Sequence, residues 1–407
     1  MLDVKSVDEV MKIIGSSFGD FSVGTEFVDI REAVGRVTAD DIIADEDIPG
    51  FDRSTVDGYA VIAADTFGAS DSLPAQLELA GEVFMGEKPL FGLERGQAAV
   101  IPTGGELPPN SDAVVMLEYT DNYDDGFIYI NKAVAPGSGV IFRGDDVRSG
   151  SVVIKANHRL RPQDIGLLAA VGKERICVRK KLKVGIVSTG DEIVDITEKL
   201  SGAKVRDVNS YFLHSALLNY GAEPVFYGVV RDSYEEIRQV VERMLNECDI
   251  GLISGGSSVG ARDETCKVID SFGTQGILVH GIAVKPGKPT IIGKVRNKAL
   301  IGLPGHPGSV FFIFNIFVLR LLEVMNGMEE KEVRYVKARM AVNYPSNEGR
   351  EEFLPVKLEK RSEGILAWPV FSKSGLISLL SLADGYVRIC RNSEGLTAGQ
   401  ETEVILF

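Results

Sequence analysis

The sequence has little cysteine and little histidine, no surplus of positive charge and no apolar run of membrane-spanning length, and each shortage removes a class of function. Its four cysteines, Cys177, Cys248, Cys266 and Cys390, lie far apart with no CxxC spacing. That excludes a zinc ribbon and a dense disulfide framework, and leaves reduced, mostly buried thiols as the expectation. The four histidines have no paired spacing, so His158, His214 and His280 are expected to be structural or surface residues and not metal ligands. A formal net charge of -14 opposes an extended nucleic-acid surface, because phosphate contacts need clustered Lys and Arg. The longest apolar stretch, Val310 to Val318, is interrupted by Asn315 and followed by Arg320, short of the roughly 20 residues of a membrane span. The opening MLDVKSVDEVMKII carries acids early and reads as an amphipathic helix, unlike a secretory signal. The expectations are a cytoplasmic protein with no nucleic-acid and no membrane partner. Walker A and GxGxxG sequences are also missing, which weakens P-loop and dinucleotide readings.

What is present is a folded multidomain chain. At 407 residues with 44% hydrophobic and 25% charged residues and 44 glycines, it suits about two to four domains with many tight turns. A helical pattern over Val7 to Ile14 and a second acidic helix start at Asp29 to Ala33 open the chain. From about Ile48 the texture changes to short β-like runs at Gly58–Val61, Ala98–Pro102, Ala113–Leu117 and Phe127–Ile130. A helix over Asp164 to Val171, with Pro162 ahead of it and Gly172 after it, can return the chain to the first unit. From Lys183 strands alternate with helices, the signature of a parallel α/β sheet. Strands are expected at Val184–Val187, Glu223–Val229, Ile250–Ile253 and Leu300–Leu303, and helices at Ser210–Asn219, Tyr234–Asn246, Asp263–Phe272 and Pro307–Met325. Beyond about residue 330, period-two alternation in Val336–Met340 and Leu354–Leu358 suggests a small terminal β domain. The expected division is an N-terminal mixed helical unit of 1–45 and 142–180, a β-rich insert of 46–141, a three-layer α/β domain with a parallel-rich sheet at 181–327 and a C-terminal β domain at 328–407.

In an open α/β sheet, ligands bind where strands end and helix N-termini point their N–H groups outward. Three such ends carry unusual loops. Ser188-Thr189-Gly190-Asp191-Glu192 offers hydroxyl and backbone donors beside two carboxylates that suit a hard cation. Gly255-Gly256-Ser257-Ser258-Val259-Gly260, followed by Asp263, allows close backbone approach to a phosphate or pterin. Pro304-Gly305-His306-Pro307-Gly308-Ser309 leads into an apolar helix. Each loop alone also reads as an ordinary turn or a capped helix start; their coincidence on one sheet edge favours a site.

Between the second and third loops, Val284-Lys285-Pro286-Gly287-Lys288-Pro289 places two lysines on a stiff turn. It reads either as a solvated loop or as an anion site prepaid in entropy by the prolines. In the β-rich part, FDRSTVDGYA (51–60), IPTGG (101–105) and RGDD (143–146) are polar turns that can equally be plain surface.

Taken together, FDRSTVDGYA, IPTGG, RGDD, STGDE, VRDVNS, GGSSVGARDET, VKPGKP and GLPGHPGS, in this order and at these intervals, resemble the molybdopterin molybdenumtransferase family, which includes bacterial MoeA and the E domain of gephyrin. The match runs from about residue 48 to 310 and extends loosely to both ends. His306 and Gly308 depart from the Asn and Val more usual in the family, and the tail Leu382–Tyr386 only approximates its Ala-Asn-Gly pattern.

The resemblance implies an elongated homodimer of four-domain subunits whose α/β domain is related to the molybdopterin adenylyltransferases. It implies a reaction in which adenylated molybdopterin and molybdate, or tungstate, yield AMP and the metal-loaded cofactor, with Mg²⁺ as the divalent cation. By the same resemblance Glu192 and Asp263 take the metal-binding and catalytic positions, with Asp232 a further candidate. Lys285 and Lys288 hold the oxyanion or phosphate. Asp57, Thr103 and Asp146 face the partner subunit's α/β domain in a shared active site, Arg350 serves an oxyanion from the terminal domain, and Ser372, Ser374 and Ser378 resemble that domain's serine-rich stretch. The strand-end loops would bind substrate through Ser188, Thr189, Gly190, Gly255, Gly256, Ser258, Gly260, Pro304, Gly305 and Ser309. Two other readings stay open: an adenylyltransferase acting one step earlier, which is also a possible partner protein, and a gephyrin-like scaffold.

Overall fold

The computed structural model describes residues 4–255, 259–273, 275–330, 333–370 and 377–407, with side chains at 259–263, 377 and 379 outside the description. Strand pairing shows how the chain returns on itself. Thr25–Asp29 pairs antiparallel with Arg175–Arg179, and Ile42–Ile43 with Val152–Ile154. Ala33, Ile42, Leu160, Leu168, Ile176 and Val178 form the small core between them. Pro162–Ala170 is the returning helix, with proline at its first turn and Asp164 accepting from the Arg161 backbone at 2.8 Å. The second acidic helix shrinks to one 3₁₀ turn, Ile30–Glu32, capped by Asp29; Gly35 follows at positive φ and ends it.

The first helix, Val7–Phe18, starts with a capping box between Ser6 and Glu9. Its buried residues Val7, Val10, Ile14 and Phe18 recur at helical spacing and pack with Leu321, Leu322 and Met325, in the core of the α/β region and not with residues 25–45. Residues 58–130 build a six-stranded mixed sheet in the order Ala113–Met116, Gly58–Val61, Gln97–Ile101, Ala75–Glu82, Phe127–Ile130, Thr120–Asn122. Both of its faces carry buried apolar clusters, one around Val61 and Ile128, the other around Ala60 and Ile101.

The α/β sheet runs Glu223–Val230, Lys183–Thr189, Ile250–Gly255, Lys298–Leu303, Ile291–Val295, Gly276–His280. The first four strands are parallel; Ile291–Val295 runs antiparallel to both of its neighbours, so that Gly276–His280 again runs in the direction of the first four. The three inner parallel strands are buried almost throughout, as strands covered by helices on both faces must be. On one face Val184, Ile186 and Leu252 meet Leu213, Leu217 and the phenylalanines of the helical run Pro307–Met325; on the other Val187, Ile253 and Leu300 meet Ile237, Val241, Val268 and Ile269. That is the three-layer arrangement expected from the sequence.

The helical run Pro307–Met325 has the extent expected from the sequence; its 19 residues are long and apolar enough to cross a membrane, and 67% of its most apolar stretch is buried inside the protein. The Asn315 amide donates to the Phe311 carbonyl at 2.8 Å, so this polar interruption is satisfied within the helix at a π-helical turn over Phe314–Val318.

In the terminal domain Glu351–Arg361, Gly364–Pro369, Tyr335–Met340, Glu401–Leu406 and Gly385–Ile389 pair in sequence, and the last also pairs with the first, closing a five-strand ring. Its interior holds Met340, Leu354, Val356, Val387 and Val404. The short strand Val284–Lys285, from the α/β region, joins the ring's edge in parallel: Val284 lies opposite Glu351 and Lys285 opposite Glu352. This seam fixes where the two domains meet.

Candidate active site

Parallel register brings the starts of all three strand-end loops together. Ser188 lies opposite Ser254 and Thr189 opposite Gly255, while Ser254 lies opposite Leu303, the residue before Pro304. The ends are then tied by a helix start that follows the short strand Val205–Arg206. Asp207 accepts from the Ser188 hydroxyl at 2.9 Å and from the Ser210 backbone at 3.1 Å. The Asn209 amide nitrogen donates to Ser254 Oγ and to the Gly305 carbonyl, both at 2.9 Å. Its Oδ1 is buried with no hydrogen-bond partner, an acceptor left open at the junction of all three loops. Gly255 is obligatory here, since a Cβ would sit 2.1 Å from the Thr189 carbonyl oxygen. Gly256 and Ser258 lie outside the described residues, as do the side chains at Gly260 and Asp263, although Val259–Ser271 is helical.

At the end of Lys183–Thr189, acids converge. Burial raises the pKa of Asp232, and the charges of Glu192 and Asp191 raise it further, against a lowering hydrogen bond from Thr189. One Asp232 carboxylate oxygen is buried without a partner. Buried carboxylate oxygens are normally satisfied, so the cluster fits an external donor or a hard cation. Among the described residues no three His, Cys, Asp or Glu side chains form a ready metal cage, and Asp263, which the family resemblance pairs with Glu192, is one whose side chain is not described. Beside this cluster opens a cavity of about 840 Å³, with Gly190, Asp191, Asp207, Tyr211, Phe226 and Arg231 in its wall.

The lysine turn forms a second cavity, of about 450 Å³, at the seam with the terminal ring. Lys285, Lys288, Ser309 and Arg350 line it together with Tyr344 and Glu352. The turn is held by the Thr290 hydroxyl donating to the Gly287 carbonyl at 2.7 Å and by the Ile282 N–H donating to the Lys288 carbonyl at 2.9 Å. Gly287 has φ 113°, and a Cβ there would meet Ile313 at 2.5 Å, so the turn packs directly on the long apolar helix. Lys285 Nζ pairs with Glu352 at 2.8 Å. Among the described residues, Lys288 and Arg350 have no carboxylate partner.

In the β insert, Asp57 accepts from the Thr103 backbone N–H at 2.7 Å. That bond, with a second from the Thr103 side chain, holds the Asp57 carboxyl below the usual carboxylate range. Gly58 lies opposite Ile101 in the sheet, which puts the two turns side by side. The RGDD turn joins them: the Arg143 N–H donates to Asp52 at 2.7 Å, and its guanidinium to Asp47 at 2.7 Å. Asp146 is exposed. Within one chain, then, the predicted residues form three groups: Asp57, Thr103 and Asp146 on the insert side, the strand-end group of Ser188 to Glu192 with Asp232, Gly255, Pro304 and Gly305, and the seam group of Lys285, Lys288, Ser309 and Arg350.

Asp207, Asn209, Ser210, Tyr344 and Glu352 were not singled out from sequence. The first three sit in VRDVNS, where a run of small polar residues at a helix start was a usable signal. Glu352 follows Arg350-Glu351 and looks like a solvated charge until the ring closes over it. Of the histidines, His158 lies 2.8 Å from Asp164, His214 stacks on Phe226, and His280 contacts Cys266 at 3.6 Å.

The α/β domain with polar strand-end loops, flanked by a β insert and a terminal β ring, defines a class of cofactor-biosynthesis protein, and the comparisons give it a family. Three family models match end to end: the MoeA N-terminal region, domains I and II, over residues 5–172; a probable molybdopterin binding domain over 185–324; and the MoeA C-terminal region, domain IV, over 337–407. The molybdopterin molybdenumtransferase of Haemophilus influenzae is 32% identical over 82% of this chain and 81% of its own. Two crystal structures of molybdopterin biosynthesis MoeA proteins from Pyrococcus horikoshii superpose with TM-scores of 0.81 and 0.85. Their identities are 40% and 34%, covering 99% and 100% of both chains compared. The chain belongs to the MoeA family.

Proposed function

We propose that this chain is a transferase that inserts molybdenum into molybdopterin, taking adenylated molybdopterin and molybdate or tungstate and releasing AMP. The observation that carries the reading is the seam cavity: two lysines from one domain and an arginine from another line a space of about 450 Å³, ample for a small oxyanion, in a protein whose overall charge is -14. Local cations of this kind are what hold an oxyanion when the global field repels it.

The strand-end loops supply the other half. Gly190, Gly255 and Gly305 let backbone approach the phosphates and the pterin closely, the buried hydroxyls of Ser188 and Thr189 hold that backbone through Asp207 and Asp232, and the open Asn209 acceptor reads an N–H of the ring. Cleavage of the phosphoanhydride takes up one water and leaves AMP and the phosphate of molybdopterin, so negative charge grows at the departing phosphate. Glu192 and Asp263, with the unpartnered oxygen of Asp232, would hold Mg²⁺, which neutralises that charge. In this reading Asp57, Thr103 and Asp146 complete the site from the second copy of a homodimer.

The test is AMP release from purified adenylated molybdopterin, with Mg²⁺ and with molybdate or tungstate added separately. Oxyanion-dependent release is the expected result. Intact substrate that stays bound without release points to a carrier or scaffold, and AMP transfer from ATP onto molybdopterin points to an adenylyltransferase; either overturns the proposal.

A further inference from the structure

We infer that Glu352 limits the affinity of the seam cavity for its oxyanion, so that the cavity passes the dianion on instead of storing it; this rests on the oxyanion reading of that cavity. Glu352 is 4% exposed and sits in the wall beside Lys285, Lys288 and Arg350. Its carboxylate accepts from the Tyr344 hydroxyl at 2.7 Å and the Ser346 hydroxyl at 2.6 Å, and pairs with Lys285 Nζ at 2.8 Å. Burying a carboxylate is costly unless it is fully paired, and three donors meet that cost here. Packing alone gives no reason for a charge at this position, since neighbouring strand residues Phe353, Leu354 and Val356 are buried and apolar.

The charge does have a consequence for the cavity. Three cations less one carboxylate leave two net positive charges in its wall, equal and opposite to a tetrahedral dianion. The register that puts Lys285 opposite Glu352 makes the pair part of the domain seam, so the carboxylate cannot swing away when the anion arrives. Lys285 must then be shared between its internal partner and the ligand.

Two opposite effects follow from removing the carboxylate. Losing the anchor frees the Lys285 side chain, which weakens binding by up to about tenfold. Losing a negative charge about 5 Å from a bound dianion strengthens binding by about a hundredfold even at the high effective dielectric, about 50, of a cavity open to water. The second effect wins, so Glu352 acts mainly as a counter-charge on affinity and only secondarily as a positioning residue for Lys285.

The experiment is calorimetric titration of inorganic tungstate into the full-length protein and into Glu352→Gln, which keeps the side-chain shape. The expected result is at least about tenfold tighter binding by the variant, with a steeper salt dependence and slower release, and Glu352→Asp restoring the original affinity. Should Glu352→Gln misfold, the pair Lys285→Met with Glu352→Met serves. It keeps the two net positive charges, so near-original affinity is expected where Lys285→Met alone binds weakly; a positioning role alone makes both equally weak. Unchanged or weaker binding by a folded Glu352→Gln overturns this inference and leaves the oxyanion site standing. No tungstate binding by the unaltered protein at this cavity overturns both.

Discussion

A single amide nitrogen, that of Asn209, donates both to Ser254 Oγ and to the Gly305 carbonyl at 2.9 Å, so one side chain fixes the spacing of the ends of two parallel strands. Replacing it with alanine leaves the buried Ser254 hydroxyl without this donor. Asn209→Ala is expected to lose about 1–3 kcal/mol of stability and to weaken molybdopterin binding. Chemical denaturation reads the first and a binding titration the second; a variant equal to the original in both would show that the tie is dispensable.

Gly255 approaches Thr189 too closely for any side chain. Gly255→Ala must push two hydrogen-bonded strands apart, at a cost of about 2 kcal/mol or more. The denaturation midpoint should fall accordingly, and a shift within error would mean that the strand end relaxes freely.

Asp232 has its pKa raised by burial and by its acidic neighbours. The folded state therefore favours the protonated form. The stabilisation from this group is fully present below the unfolded carboxyl pKa and is lost as pH rises through the folded value, because burial and the charges of Glu192 and Asp191 then oppose an anion with one unpartnered oxygen. A cation bound there reverses the trend. Mg²⁺ is expected to raise the melting temperature at neutral pH, less so at acidic pH where protons compete, and less in Asp232→Asn. A Mg²⁺ effect independent of both pH and Asp232 would remove this residue from the metal site.

Asp57 and Thr103 pair on an exposed turn, and the depressed Asp57 pKa gives stability that is present above the unfolded carboxyl pKa and lost as pH falls through the folded one. Exposure keeps that contribution small. Asp57→Ala and Glu192→Ala are thus expected to melt normally and to release AMP about a hundredfold more slowly, whereas Lys288→Ala raises the molybdate concentration needed by about tenfold. Normal turnover in all three would break the site assignment.

Much of the fold was legible. The strands Lys183–Thr189 and Ile250–Gly255 and the helix Tyr234–Glu247 follow apolar runs and period-3.6 patterns that local reading captures. The antiparallel strands Gly276–His280 and Ile291–Val295 were missed, because short half-polar runs among Gly and Pro look like loop until their partners are known. Likewise Val7–Phe18 has the periodicity of an amphipathic helix, but only packing against Leu321 and Met325 shows which core it fills.

The sequence by itself determined the strand-end loops, the lysine turn and the family, because those depend on residue type at fixed short spacing: glycine where backbones nearly touch, proline where a turn must be stiff. It could not determine which of its charges would meet. Lys285 and Glu352 are 67 positions apart, and they face each other because the terminal strands close into a ring and a two-residue strand from another domain docks on its edge. Long-range contact of that kind is decided by how apolar faces pack and strands register, which makes a buried counter-charge out of a residue that reads, in the chain, as one more surface acid.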